Sequence, residues 1–215
     1  MTPVWDVEQG SPEWLALHVG VLTASRFAKL ITPKTGKMSA QADGIVDELA
    51  AEWMIGELYD ADFLDSPWMR RGRKMEAEAR AWYEFQNDVD VQIIGFAYLD
   101  ERRQIGCSPD GLVGDDGGLE AKVPGAKTQV HYLRNPDDLV TDYRHQVQGC
   151  LWVTGRQWWD LVSYHPTTLR CLQIRCERDE EYIARLAEAC ETVMQKVDDV
   201  LIAEGFKQAI ELEHT

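Results

Sequence analysis

The segment Ser108-Pro109-Asp110-Gly111, followed by Gly118-Leu119-Glu120-Ala121-Lys122, decides how this chain is read. It places an acid in a turn, a second acid ten residues later and a lysine two beyond that. Residues two apart in a strand share a face, so Glu120 and Lys122 project together while Leu119 and Ala121 face the other way. A turn built on Pro109, Gly111 and the Gly117-Gly118 pair folds Asp110 back beside them. Leu119, Ala121 and Val123 read as a buried strand, where a polar pair needs a reason. Two carboxylates beside an ammonium suit a hard divalent cation and an activated water, the requirements of phosphodiester hydrolysis.

Composition bounds the alternatives. The 215 residues, 45% of them hydrophobic, are enough for one good core and an appended helical lobe. No run of 18 apolar residues exists, so no span of a membrane is expected. The first residues lack the basic and apolar regions of a secretory leader, and five scattered cysteines without a CxxC pair fit reduced thiols. A cytoplasmic protein without an iron–sulfur cluster is expected, with Cys107 a packing residue. Net charge is −15, from 37 acids and 22 bases, which runs against the basic footprint of a DNA-binding protein. The charges are segregated, however. Arg70-Arg71-Gly72-Arg73-Lys74 forms a compact patch, while acids gather at 43–65, 177–181 and 198–213. That pattern fits a basic channel within an acidic shell.

The remaining pattern alternates helix and strand. Ser11-Pro12-Glu13 opens a helix, Thr23 to Ile31 forms a short one ended by Pro33 and Gly36, and 39–57 and 67–86 form longer ones. Val91 to Leu99 reads as one strand, followed by strands at 103–108 and 118–123. A helix is expected over 142–154, then a strand pair at 158–164 and 169–176 turned at Pro166-Thr167-Thr168. An amphipathic helix over 179–204 closes the chain, with acids 179–181 at its start and Gly205 at its end. Of Trp158 and Trp159 the expected place is the core. The fold class is α/β (α+β) with a central mixed sheet.

The Pro-Asp, spacer, Glu-x-Lys arrangement resembles the PD-(D/E)xK nuclease superfamily. The wording of Cys107 to Leu112 and of Gly118 to Pro124 is similar to its phage lambda-type, or viral recombinase, exonucleases. Further blocks agree in order: Glu13-Trp14-Leu15 with Gly20 to Ser25, Arg71 to Arg80, and Gln146-Val147-Gln148 leading to Leu151-Trp152-Val153-Thr154. The resemblance implies a restriction-endonuclease-like core in a single exonuclease domain over 1–215. Its parts would be a helical stretch to about 88, a catalytic sheet core at about 89–178 and a helix at about 179–205. It implies Mg²⁺ (Mn²⁺ as substitute) on Asp110 and Glu120, with the backbone carbonyl of Ala121 or a neighbouring valine as a further ligand. Lys122 would serve the attacking water, Glu76 would be an additional acid, and Gln146, with Gln148 as its substitute, would orient the site. A pocket for a 5′-phosphate would use Ser25, Ser108 and the adjacent Thr23. His18 stands there in place of an arginine, and an imidazole near its ordinary pKa is only partly charged at neutral pH. Arg71 and Arg73 would meet DNA.

The implied activity is 5′-to-3′ digestion of one strand of linear double-stranded DNA, leaving a 3′ tail for phage-type recombination in a bacterial host. A homotrimeric ring and a single-strand annealing protein as partner are implied with it. Two other readings stay open: an endonuclease or repair nuclease on the same core, separated by its action on circular DNA, and a non-catalytic acidic relative that binds protein.

Overall fold

The computed structural model describes residues 1–32, 37–59, 67–167 and 170–207, with 67–74 as backbone alone. In chain order the strands are β1 (Thr2–Val4), β2 (Leu22–Thr23), β3 (Val91–Gln92), β4 (Phe96–Tyr98), β5 (Ile105–Cys107), β6 (Gly111–Val113), β7 (Gly117–Lys122), β8 (Trp158–Ser163) and β9 (Leu172–Glu177). The helices are α1 (Pro12–Ala16), α2 (Ala42–Ile55), α3 (Pro67–Asn87), α4 (Ala126–Arg134), α5 (Pro136–Thr154) and α6 (Glu180–Ala203), with a 3-10 helix at Ala24–Lys29. The strands form two mixed sheets where the sequence suggested one. One has the order β1-β4-β5-β2, the other β3-β6-β7-β8-β9. The α+β class holds, and the segment before residue 88 is not purely helical, because β1 and β2 enter the first sheet.

The single strand expected over Val91 to Leu99 divides at Gly95, with β3 pairing β6 in one sheet and β4 pairing β1 and β5 in the other. Gly95 makes the crossing possible: a Cβ there would stand 2.5 Å from the Val7 carbonyl oxygen. Gly117 and Gly118 also have another role than the turn assigned to them. They lie in β7, opposite Trp158 and Trp159 of the parallel neighbour β8. A Cβ on Gly118 would sit 2.2 Å from the Trp159 ring, so the absent side chain is the space that the ring fills. The turn itself lies at residues 114–116, with Gly114 at φ +52°.

Crossing from β7 to β8 are α4, which the sequence reading left out, and α5, which begins six residues before the expected Asp142. Pro136 occupies its first turn with Asp137 and Asp138, an orphan-donor end that favours proline and acids, and Gly155 ends it in the left-handed region at φ +72°. α6 matches expectation, with the Asp179 side chain accepting from the Tyr182 N–H at 3.0 Å. The expected helix stop at Pro33–Gly36, the side chains of the Arg70–Lys74 patch and residue 168 of the Pro166–Thr168 turn lie outside the described residues.

The main core joins α2, α5 and α6 to β5 and β8, and includes the fully buried Trp159. Cys107 and Cys150 are buried within it as free thiols, in line with a packing role. A smaller cluster of Tyr83, Val113, Leu119 and Val162 backs the opposite face of the five-stranded sheet. Beside it Asp160, fully buried, accepts from the Tyr83 hydroxyl (2.6 Å) and from Arg175 Nε (2.9 Å) and Nη2 (2.8 Å). This network ties α3 to β8 and β9. Tyr83→Phe is expected to destabilise the fold by about 1.5–3 kcal/mol, the range for a hydrogen bond to a charged group. Urea unfolding of the two proteins checks it, and an unchanged midpoint would show that Arg175 and Gln173, whose Nε2 donates to Asp160 Oδ2 at 3.2 Å, satisfy Asp160 without Tyr83.

Candidate active site

The β6–β7 register assembles the acid pair. Gly111 pairs with Leu119 in the antiparallel ladder, so one further step back sets Asp110 opposite Glu120. The Ala121 N–H donates to Asp110 Oδ2 at 2.6 Å, which locks the loop carboxylate onto the strand. Behind it, Gln9 Nε2 donates to the Pro109 and Ile94 carbonyls, each at 2.8 Å. Lys122, two residues from Glu120 on the same face, places Nζ 2.5 Å from Glu120 Oε1. Of the two candidate glutamines, Gln146 is the one at the site: its Nε2 donates to Glu120 Oε1 (2.7 Å) and its Oε1 accepts from Lys122 Nζ (3.0 Å). Gln148 serves instead as a brace for the start of α6, donating to the Glu177 carbonyl and accepting from the Asp179 N–H.

Burial dominates the electrostatics. It raises the pKa of Asp110, and it raises that of Glu120 to about 8, with the neighbouring charges of Asp110 and Glu76 adding to the effect. Burial works against the Lys122 ammonium too, but Glu120 and Asp110 outweigh it and hold the lysine charged. Glu76, half-buried on α3, lines the same pocket, whose volume is about 230 Å³.

Thr23, Ser25, Ser108 and His18 line that pocket as well, so the structure brings together every expected site residue whose side chain is described. Their hydrogen bonds qualify the expectation of a phosphate site. The Ser108 hydroxyl donates to the Gly95 carbonyl (3.0 Å) and accepts from Trp14 Nε1 (3.0 Å), which commits its only proton. Thr23 Oγ1 and Ser25 Oγ are bonded to each other at 3.0 Å, leaving one proton of the pair free. His18 is neither a surface residue nor partly charged. Its ring lies between Trp14 and Phe96, with centroids 4.0 and 4.7 Å away, and Nδ1 bonds the Trp14 carbonyl at 2.8 Å. Burial lowers its pKa to about 4, so at neutral pH it is an uncharged ring with Nδ1–H as donor and Nε2 as acceptor.

Comparison with known proteins gives this geometry its context. A model of the YqaJ-like viral recombinase domain matches residues 13–157, more than half of the chain. The chain belongs to the YqaJ-like viral recombinase domain family. Among solved structures, this viral recombinase domain is similar to an alkaline exonuclease, LHK-Exo, from Laribacter hongkongensis: 29% identity over 93% of this chain and all of that one, TM-score 0.78. The same protein in complex with dAMP matches with a TM-score of 0.77 over the same shares, again at 29% identity. A phage-related exonuclease from Haemophilus somnus shares the fold, with 16% identity over 86% of this chain and 96% of that one and a TM-score of 0.69. No curated protein sequence matches.

The donor set of this viral recombinase domain fits a hard cation. Glu120 Oε2 is buried without a hydrogen-bond partner, and a second desolvated carboxylate, Asp110, faces it. Both observations describe oxygens that a divalent cation would satisfy. Among the described residues, no three His, Cys, Asp or Glu side chains converge as a ready-made metal cluster. Sequence reasoning missed Gln9, Trp14 and Arg80. Gln9 acts through the Ile94 and Pro109 carbonyls, and Trp14 through Gly95, Ser108 and His18, contacts mostly distant in sequence that no local pattern reveals. Arg80 had a visible signal, since it lies one helical turn after Glu76. Its charge opposes the rise at Asp110, and its Nε is buried without a hydrogen-bond partner. The side chains of Arg71 and Arg73 lie outside the described residues.

Proposed function

We propose that this viral recombinase domain is a metal-dependent exonuclease that digests one strand of linear double-stranded DNA from the 5′ end and leaves a 3′ single-stranded tail. The observation that carries the reading is the strand register that sets Asp110 opposite Glu120 with Lys122 on the same face. The likeness to LHK-Exo, an alkaline exonuclease whose structure with dAMP is known, supports a deoxynucleotide substrate. Asp110 and Glu120, with the Ala121 carbonyl, would hold Mg²⁺ or Mn²⁺, which supplies Lewis acidity and lowers the pKa of water. Lys122, held charged by its partners, directs N–H donors at the attacking water and at the charge that grows on the phosphate oxygens. Gln146 orients Lys122 and Glu120 together, and Glu76 adds negative charge at the mouth.

The free proton of the Thr23–Ser25 pair serves the terminal 5′-phosphate, with Arg71 and Arg73 on the duplex. Neutral His18 contributes no charge there, so discrimination between phosphate and hydroxyl ends is expected to be modest. Following the family resemblance, the domain would work as a homotrimer ring in a bacterial cytoplasm and pass its 3′ tail to an annealing protein. Among the described residues no helix is long and apolar enough to cross a membrane. The test is digestion of 5′-phosphorylated linear duplex beside closed circular DNA, with Mg²⁺ or EDTA. Mg²⁺-dependent loss of one strand of the linear duplex alone is expected. Cleavage of the circle would make the protein an endonuclease, and no cleavage with any divalent metal would remove the enzymatic reading.

A further inference from the structure

Lys122 is gripped from three sides, and one of them is an aromatic face. Nζ has Glu120 Oε1 at 2.5 Å and Gln146 Oε1 at 3.0 Å, and the centroid of the Tyr143 ring lies 4.7 Å away. Tyr143 and Gln146 are three apart on α5 and Cys150 follows four later, so one face of the helix is turned to the catalytic strand. We propose that Tyr143 is a positioning residue for the hydrolytic reaction: its ring holds the Lys122 ammonium against Glu120 and Gln146 and sets the direction from which it meets the phosphate. The inference rests on the nuclease reading above.

Physical reasons favour a ring at this place. A lysine side chain is a flexible four-carbon stem carrying a compact charge, and two hydrogen bonds leave it room to swing. A carboxylate as third neighbour would compete with the substrate phosphate for the ammonium. The face of a phenol ring attracts the charge without a directional lone pair, so an N–H remains available for redirection to phosphate. The ring is also anchored before any substrate arrives. Tyr143 packs against the main core, and next to it the Tyr132 hydroxyl donates to Asp142 Oδ2 at 3.0 Å, tying α4 to α5.

Tyr143→Leu removes the ring, and Tyr143→Phe keeps it while removing the hydroxyl. Two readouts separate contact from function. In the metal-free protein, NMR of the Lys122 ε-methylene reads the ring current, expected upfield in the parent and the Phe variant and near its ordinary position in the Leu variant. On 5′-phosphorylated linear duplex with Mg²⁺, the Leu variant is expected to lose about tenfold in kcat with KM within about twofold, and the Phe variant to stay within about twofold of the parent. The proposal is overturned by an ordinary Lys122 shift in the parent, by an unchanged kcat in the Leu variant, by a loss confined to KM, or by a Phe variant as slow as Leu. If the parent digests no DNA with any metal, the nuclease reading fails by itself, while the NMR shift still decides whether Tyr143 holds Lys122.

Discussion

Lys122→Ala is expected to slow digestion of linear duplex by about 10²–10³-fold, the cost of removing one preorganised donor from a developing oxyanion. The effect belongs on kcat, because Lys122 lines the pocket and its side chain is only 21% exposed. The fold is expected to survive. Once the lysine is gone, burial still opposes ionisation of Glu120, and a proton replaces the ammonium as its partner. Single-turnover digestion of an end-labelled duplex, with circular dichroism of both proteins, checks both statements. A folded variant with parental kcat would strip Lys122 of its role and leave the acid pair to account for catalysis alone.

The second large effect concerns stability and cation binding. Glu120 has a native pKa of about 8 against an ordinary 4.5, chiefly through burial. Between those values the native protein binds more protons than the unfolded chain, so metal-free stability contributed by this group falls as pH rises. His18 and His145, both lowered to about 4 by burial, act oppositely below pH about 6.5, because there the unfolded chain is the better proton acceptor. The window from pH about 7 to 8 therefore reports the buried carboxylates. It lies above the histidines and below the range in which the thiols of Cys150, Cys176 and Cys190, also raised from their ordinary value of 9.0, begin to differ from those of the unfolded chain. On the proposed function Mg²⁺ would bind the ionised pair, so its stabilisation is expected to be small near pH 6 and to grow with pH. At a hundredfold excess over Kd it reaches about 2.7 kcal/mol, or about 5–10 °C in Tm for a chain of this size. Glu120→Gln is expected to raise the Tm of the metal-free protein above pH 7 and to abolish most of the Mg²⁺ response. Thermal melts at pH 6, 7 and 8 with EDTA or Mg²⁺ measure all of this. A Tm shift that is flat with pH would place the cation elsewhere than on Glu120.

Legibility divided along physical lines. Glu120 and Lys122 were readable because the two-residue period of a strand is local and obligatory, and α6 because its cap, acids and apolar stripe agree. The role of Gln146 came only from family resemblance, since a glutamine on a helix carries no signal of its own until the helix is docked. Segments 91–99 and 117–118 were misread for a common reason. Their glycines answer to atoms distant in sequence, the Val7 carbonyl and the Trp158 and Trp159 rings, and a local pattern cannot register those demands.

From residue types and spacing alone came the α+β class and the pairing of an acid with a lysine on one strand face, and from the resemblance of ordered sequence blocks came the family. Packing and register decided the rest: the division into two sheets, the one-step extension that brings Asp110 opposite Glu120, and the choice of Gln146 over Gln148. The conversion of His18 from a titrating side chain to a neutral one belongs there too. Charge state, like hydrogen-bond partnership, depends on what surrounds a group after the chain has closed around it. That environment is a property of three dimensions, and the linear order of residues encodes it only through the fold.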